Sequence, residues 1–538
     1  MTSPPLPGVT LTTHLLINPS HRSIDKALFA RVDALLNSMT DAQMKAYLSD
    51  TVYLERQRFY ADGVTDSDES AAIEGLAHGI HDGPEAMRKA AQVLVKSYSH
   101  EIHNRFSERT FGAAMKLAPG ALKRLLAPAE RGAWRWPDFA KGDHIQVQGP
   151  VDKIRALSKT HTLVVAPTHV SNLDSPLVGY ALHMAGLPPC TYGAGLNLFS
   201  NPAMSFFMAR LGAYTVDRRK RHRLYKDVLK AYSTELIARG AHSLFYPGGT
   251  RSRSGQLEPH IKRGLLGTAI AAWQEGLQSG NEKPEVLVVP CTLSCSLVLE
   301  AETLIEDFLA GQGKSRYIIT DDEFSHPTAV LKFVRQLLDL NASMVVRFGE
   351  PLDLIGNRVN ESGQSVDGSG RSFDRRKYVC DSKDVVVADA QRDRVYTNHL
   401  ATSLCRAYRE DSVALSTHVA AYAGWSCLVE RYPHLDHYQR VLLAPFERWV
   451  DRTRMLAAIE SLLDQIAQKV SDGEMQSLLH EGPDRAEKTL TDAVAAFACF
   501  HSRRTLEFED WRILVDPKLS LYYGNRLSGF DLQIGDES

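Results

Sequence analysis

A histidine and an aspartate five positions apart, His169 and Asp174, stand in the stretch THVSNLDSP, between the apolar run TLVVAP and the mostly apolar LVGYALHMAG. The first run reads as a buried strand and the second as a helix, which puts the pair where a strand turns into a helix. In open α/β sheets, ligands gather at the carboxyl ends of strands. A turn of this length can bring the carboxylate back to one imidazole nitrogen, fixing the tautomer and stabilising the imidazolium while the other nitrogen faces a substrate. That is the arrangement of a general base. The same residues also read as local structure, because Asp-Ser-Pro is a helix-start signal in which Asp174 is the N-cap and Pro176 an early helical residue. Taken alone, the segment favours the local-structure reading, and other features have to decide. Ser171 lies between the pair and is the nucleophile a rival acyl-enzyme scheme would use, but no nucleophile elbow G-x-S-x-G surrounds it.

A second constellation runs through HSLFYPGGTRSRSGQLEPHIKRGLLGTA, residues 242–269. A strand is followed by a tight turn with Gly248 and Gly249, then Thr250, Arg251 and Arg253. Two glycines let backbone amides approach an anion while guanidinium groups bind it in a bidentate fork. The pattern is a phosphate cradle or a solvated surface turn. It is neither a Walker loop nor a dinucleotide fingerprint, since no Gly-Lys-Ser/Thr and no G-x-G-x-x-G stands at the required place. A third segment, GAYTVDRRKRHR, sets Arg218, Arg219, Lys220, Arg221 and Arg223 after a short strand. A basic cluster is by default a solvated face. Here it adjoins Leu196, Leu198, Phe199, Met204, Phe206, Phe207 and Met208, and an apolar patch beside a polybasic stretch supplies the two signals of peripheral membrane attachment. The same apolar residues also suit ordinary core or an acyl-chain pocket.

These groups need a scaffold, and from about residue 142 the texture provides one. Short β-branched runs (HIQVQG, TLVVAP, GAYTVD, HSLFY, EVLVVPCTLS, SMVVRFG) alternate with helical stretches. That alternation predicts an α/β domain over 141–355 with a central, mostly parallel or mixed sheet flanked by helices. Residues 1–140 read as a helical N-terminal region that is broken at Pro119-Gly120 and Pro128. The Gly/Ser-rich stretch at 356–380 reads as a flexible linker, and 381–538 as a helical C-terminal domain. No internal repeat at a fixed period is evident.

With 538 residues, 44% hydrophobic and 23% charged, the chain has ordinary globular composition. A formal net charge of -2 excludes a strongly basic whole-chain footprint, so nucleic acid is not an expected partner. Seven cysteines without a CxxC pair or zinc spacing read as thiols of a reducing compartment, and no metal is expected. The N-terminus lacks signal-peptide features, which predicts a cytoplasmic location. The charge-free run from Ser175 to Ala209 is too interrupted by Pro and Gly for a membrane span.

In order, these segments resemble the glycerophospholipid acyltransferases, most closely the glycerol-3-phosphate acyltransferase branch, over about residues 142–354. The His-x4-Asp block looks like His169 to Asp174, and the second block, a Gly with a short strand and Arg, looks like Gly212 to Arg218. The third, F-x-E-G-T-R-S, looks like FYPGGTRS, and the fourth, an apolar strand ending in Pro, looks like VLVVP. RSRSG and AGLNL are similar to the glycerol-3-phosphate branch. The resemblance implies His169 as base and Asp174 as its partner. It makes Arg218, Arg251 and Arg253 the acceptor-phosphate ligands, and acyl-CoA or acyl-carrier protein the thioester donor, with no cofactor. The expected reaction is acylation of the sn-1 hydroxyl of glycerol-3-phosphate, with amides near Gly248, Gly249 and Thr250 supporting the oxyanion and the protein peripheral on the cytoplasmic membrane face. Lysophosphatidate, dihydroxyacetone phosphate or another lysolipid is the alternative acceptor, and a non-catalytic lipid- or RNA-binding relative is the alternative class. One position departs from the pattern: Gly248 stands where the third block carries Glu.

Overall fold

The computed structural model describes residues 21–63, 67–113, 145–196, 202–279, 285–312, 344–498 and 501–534. The expected breaks at Pro119-Gly120 and Pro128, and Leu198 and Phe199, lie outside them, as do the side chains of Met204 and Phe207.

Seven strands form the central sheet: β1 (Ile145–Gln148), β2 (Thr162–Pro167), β3 (Thr191–Gly195), β4 (Ala213–Val216), β5 (Ser243–Leu244), β6 (Val286–Cys295) and β7 (Met344–Phe348). Their order is β1-β7-β6-β2-β5-β3-β4. Only the β6/β7 pair is antiparallel, so the sheet is mixed and mostly parallel, as the alternating texture predicts. In β2, Leu163 and Val165 enter one core and Val164 and Ala166 another. Successive side chains of a strand point to opposite faces, so a strand covered on both sides has to be apolar throughout. TYGAG became β3 although its glycines and small residues carry little strand propensity. It forms because β4 and β5 flank it on either side.

The helices His21–Asn37, Asp41–Asp62, Asp68–Gly79 and Pro84–Ile102 make the N-terminal region. Its apolar stripe (Ile24, Leu28, Leu48, Leu94) closes on Tyr225, Val228 and Tyr232 of the helix Arg223–Ala238. No described helix is long and apolar enough to cross a membrane.

Two readings are corrected here. The stretch at 356–380 is not a featureless linker but part of a seven-residue repeat: DLIGNRV, NESGQSV, DGSGRSF, DRRKYVC, DSKDVVV, residues 353–387. Asp353, Asn360, Asp367, Asp374 and Asp381 each accept a backbone N–H two to four residues on. The fourth position takes positive φ at Gly356, Gly363, Gly370 and Asp384, residue types that tolerate it. Isolated bridges tie successive turns, Val359 to Ser365 and Val366 to Ser372 among them. Gly/Ser content suggests a linker, but here it follows the geometry of the turn.

The second correction concerns the C-terminal region, which is mainly helical as expected but not a separate unit. It holds a three-stranded antiparallel sheet (Trp449–Asp451, Leu506–Glu509, Arg512–Val515). Its Val419, Leu462, Phe497 and Tyr523 share one core with Leu163, Val165, Leu287 and Val289 of the central sheet.

Candidate active site

The parallel strands β2, β5 and β4 deliver His169, the Gly248–Arg253 loop and Arg218 to the carboxyl ends of the strands, on one side of the sheet. His169 Nδ1 lies 2.8 Å from Asp174 Oδ2. Asp174, only 1% exposed, begins the helix Asp174–Met184, but its carboxylate does not cap that helix. It turns back to accept the N–H groups of Val170 at 2.6 Å and Ser171 at 2.9 Å. The carboxylate therefore fixes both the imidazole and the turn that carries it, which excludes the simple N-cap reading. Nε2 of His169 has no hydrogen-bond partner among the described residues. The ring stacks on Tyr246, with centroids 4.3 Å apart, and the Tyr246 hydroxyl reaches Ser175.

The second loop is tied to the first. Ser252 N–H donates to the His169 carbonyl at 2.8 Å. Fully buried Glu300 accepts Ser171 Oγ and Asn172 N–H, and its carboxylate lies 3.2 Å from Arg251. Ser171 thus spends its hydroxyl on Glu300, an obstacle to the nucleophile reading beyond the missing elbow. Glu258 Oε1 accepts the His169 backbone N–H at 2.8 Å. Desolvation raises the Glu258 pKa, while the bond from His169 and the charge of Arg526 act against the rise.

Gly248, Thr250, Arg251, Arg253, Glu258 and Phe308 line a cavity of about 420 Å³. Gly249 has φ +74, a backbone conformation that favours glycine, and its would-be Cβ points at the flexible end of Lys262, 2.6 Å from Nζ. Its N–H is spent on the Tyr246 carbonyl, unlike those of Gly248 and Thr250, which meet no acceptor among the described residues. Arg218 makes no ion pair among the described residues. Desolvation, then the like charge of Arg251, lower its pKa, so two guanidinium groups share one region. Arg253 is half-exposed, 3.9 Å from Asp307.

Of the other residues of the basic cluster, Lys220 and Arg219 make structural contacts, while Arg221 and Arg223 are exposed. Buried Lys220 pairs with Glu69 at 2.7 Å and with Glu101, beneath the Tyr98 ring. Arg219 holds Asp217 and Asp62. These contacts dock the N-terminal helices.

Residues 144–294 match the family model described as Acyltransferase. This stretch is therefore similar to an acyltransferase domain, as the resemblance to the glycerophospholipid acyltransferases implies. A glycerol-3-phosphate acyltransferase of Haemophilus ducreyi is 32% identical over 225 residues, 41% of this chain and 25% of that protein. One of Actinobacillus succinogenes is 30% identical over 285 residues, 53% of this chain and 30% of that protein. The chain thus spans less than a third of the length of the relatives it matches. Among solved structures, the 1-acyl-sn-glycerophosphate (LPA) acyltransferase of Thermotoga maritima covers 68% of this chain and 94% of its own. Its TM-score is 0.26 and its identity 12%, a likeness too remote to bear on function.

Sequence reasoning singled out His169, Asp174 and the Gly248–Arg253 loop, which the structure brings together, and did not single out Tyr246, Glu258, Glu300 or Arg526. Glu300 left a signal: it is the lone acid ending the charge-free run VLVVPCTLSCSLVLE.

Proposed function

We propose that the chain transfers a fatty acyl group from acyl-CoA or acyl-carrier protein to the sn-1 hydroxyl of glycerol-3-phosphate, giving lysophosphatidate, with no cofactor beyond the donor. The observation that carries this is the His169–Asp174 pair, with Nε2 unspent, beside a cavity that Arg251 and Arg253 line. Arg218, Arg251 and Arg253 take the acceptor phosphate, which sets the hydroxyl at near-attack distance from His169. His169 removes the hydroxyl proton as oxygen attacks the thioester carbonyl, a step worth roughly 10²–10⁴-fold, and Asp174 stabilises the imidazolium. The N–H groups of Gly248 and Thr250 receive the tetrahedral oxyanion, and its collapse then expels the thiolate. The thiolate takes the proton from His169. Phe206, 49% exposed with Arg210 over its ring, is the described part of the surface that would meet lipid.

Acceptor competition tests the reading. Thiol release driven by glycerol-3-phosphate and unaffected by lysophosphatidate supports it; release with lysophosphatidate alone moves the chain to a different acceptor.

A further inference from the structure

The family's third block carries a carboxylate where this chain has Gly248, and the structure has one in that place by another route. The Gly248 backbone lies outside the left-handed region, so conformation does not demand glycine. Space is tight instead: a Cβ at 248 would lie 3.1 Å from both Cγ and Oε1 of Glu258, so that side chain would have to give by a few tenths of an ångström. The Glu258 side chain, ten residues downstream, fills the volume that a longer residue at 248 would take. Gly267, equally glycine, has only Thr397 Oγ1 near its would-be Cβ, at 3.7 Å. Glu258 also lines the cavity beside Arg251, and its Oε1 holds the His169 N–H at 2.8 Å.

We propose that Glu258 is the third-block carboxylate supplied from a new position. It positions His169 through its backbone and receives a hydrogen bond from a hydroxyl of the polyol phosphate acceptor, while the arginines take the phosphate. This rests on the reading of the cavity as the acceptor site. A hydroxyl donor suits it, because a carboxylate accepts from hydroxyls and repels phosphate, so it discriminates glycerol-3-phosphate from phosphate alone.

The test exchanges the carboxylate between the two positions. Glu258→Gln should lower kcat/KM for glycerol-3-phosphate at least tenfold at an unchanged melting temperature, and Gly248→Glu alone should do the same through crowding. Gly248→Glu with Glu258→Ala should recover to within a few-fold of the parent. A double variant no better than the worse single, or Glu258→Gln with unchanged kcat and KM, overturns the proposal. A merely structural Glu258 would move stability and give no recovery. Calorimetry separates this from failure of the acyl-transfer reading. If the parent transfers no acyl group, that reading falls, yet Glu258→Gln should still weaken glycerol-3-phosphate about tenfold and leave inorganic phosphate unweakened. Equal loss for both ligands, or binding of neither by the parent, overturns the proposal on its own.

Discussion

Three groups fix three different atoms of His169: Asp174 takes Nδ1, Glu258 takes the backbone N–H, and Ser252 takes the carbonyl. Tyr246 lies against the ring. Orientation is set before any substrate arrives, so the expected losses differ by residue. Asp174→Asn keeps the volume and removes the charge that stabilises the imidazolium; it should cut kcat by about 10²–10⁴-fold with little change in KM, read from acyl-transfer kinetics. Arg218→Ala should leave kcat within a few-fold and raise the acceptor KM about 10–100-fold, since a charge-assisted hydrogen bond contributes about 1.5–3 kcal/mol. An unchanged KM would remove Arg218 from the phosphate site.

The strands that carry these residues are short, and β5 pairs over only two positions on each side. His242, buried just ahead of it, does the stitching. Its Nδ1 accepts Leu163 N–H of β2 at 2.9 Å, and its carbonyl accepts Thr191 N–H of β3 at 2.8 Å. Burial lowers its pKa to about 4. The unfolded chain binds this proton first on acidification, so the neutral histidine contributes stability that is full above the ordinary value of about 6.5 and lost as pH falls toward 4. His242→Asn keeps the acceptor and removes the titration. Its stability, measured by denaturant unfolding, should fall less steeply from pH 6.5 to 5 than the parent's, by about 2 kcal/mol across that window. The seven-residue turns make a second element-scale test. Asp353 is fully buried and accepts three backbone N–H groups, so Asp353→Ala should cost about 2–4 kcal/mol. Asp367→Ala, at an exposed turn of the same repeat, should cost clearly less by the same assay.

Across the molecule, the C-terminal region completes the site. Asn525 donates to the Ser254 carbonyl at 2.8 Å, Arg526 donates to the Leu293 carbonyl and faces Glu258, and Gly255 (φ +83) packs so tightly that a Cβ would sit 1.9 Å from the Tyr522 carbonyl oxygen. Gly255→Ala should therefore destabilise the fold by at least about 1–3 kcal/mol and depress transfer without touching His169. This reach explains what the chain disclosed in advance. His169 and Asp174 were legible because five residues of turn bring them together, and PGGTRSR because its chemistry is contiguous. Glu258, Glu300 and Arg526 join through contacts 89, 129 and 233 residues long, which no local spacing encodes. The repeat at 353–387 was hidden because its Asp, Gly and Ser are also the residues of a linker. The central claim is tested most directly by thiol release from palmitoyl-CoA and palmitoyl-carrier protein with glycerol-3-phosphate, comparing the parent with His169→Ala. The account expects release that requires the acceptor and one of the donors and is lost in a folded His169→Ala protein; release that survives the substitution, or none from the parent, would contradict it.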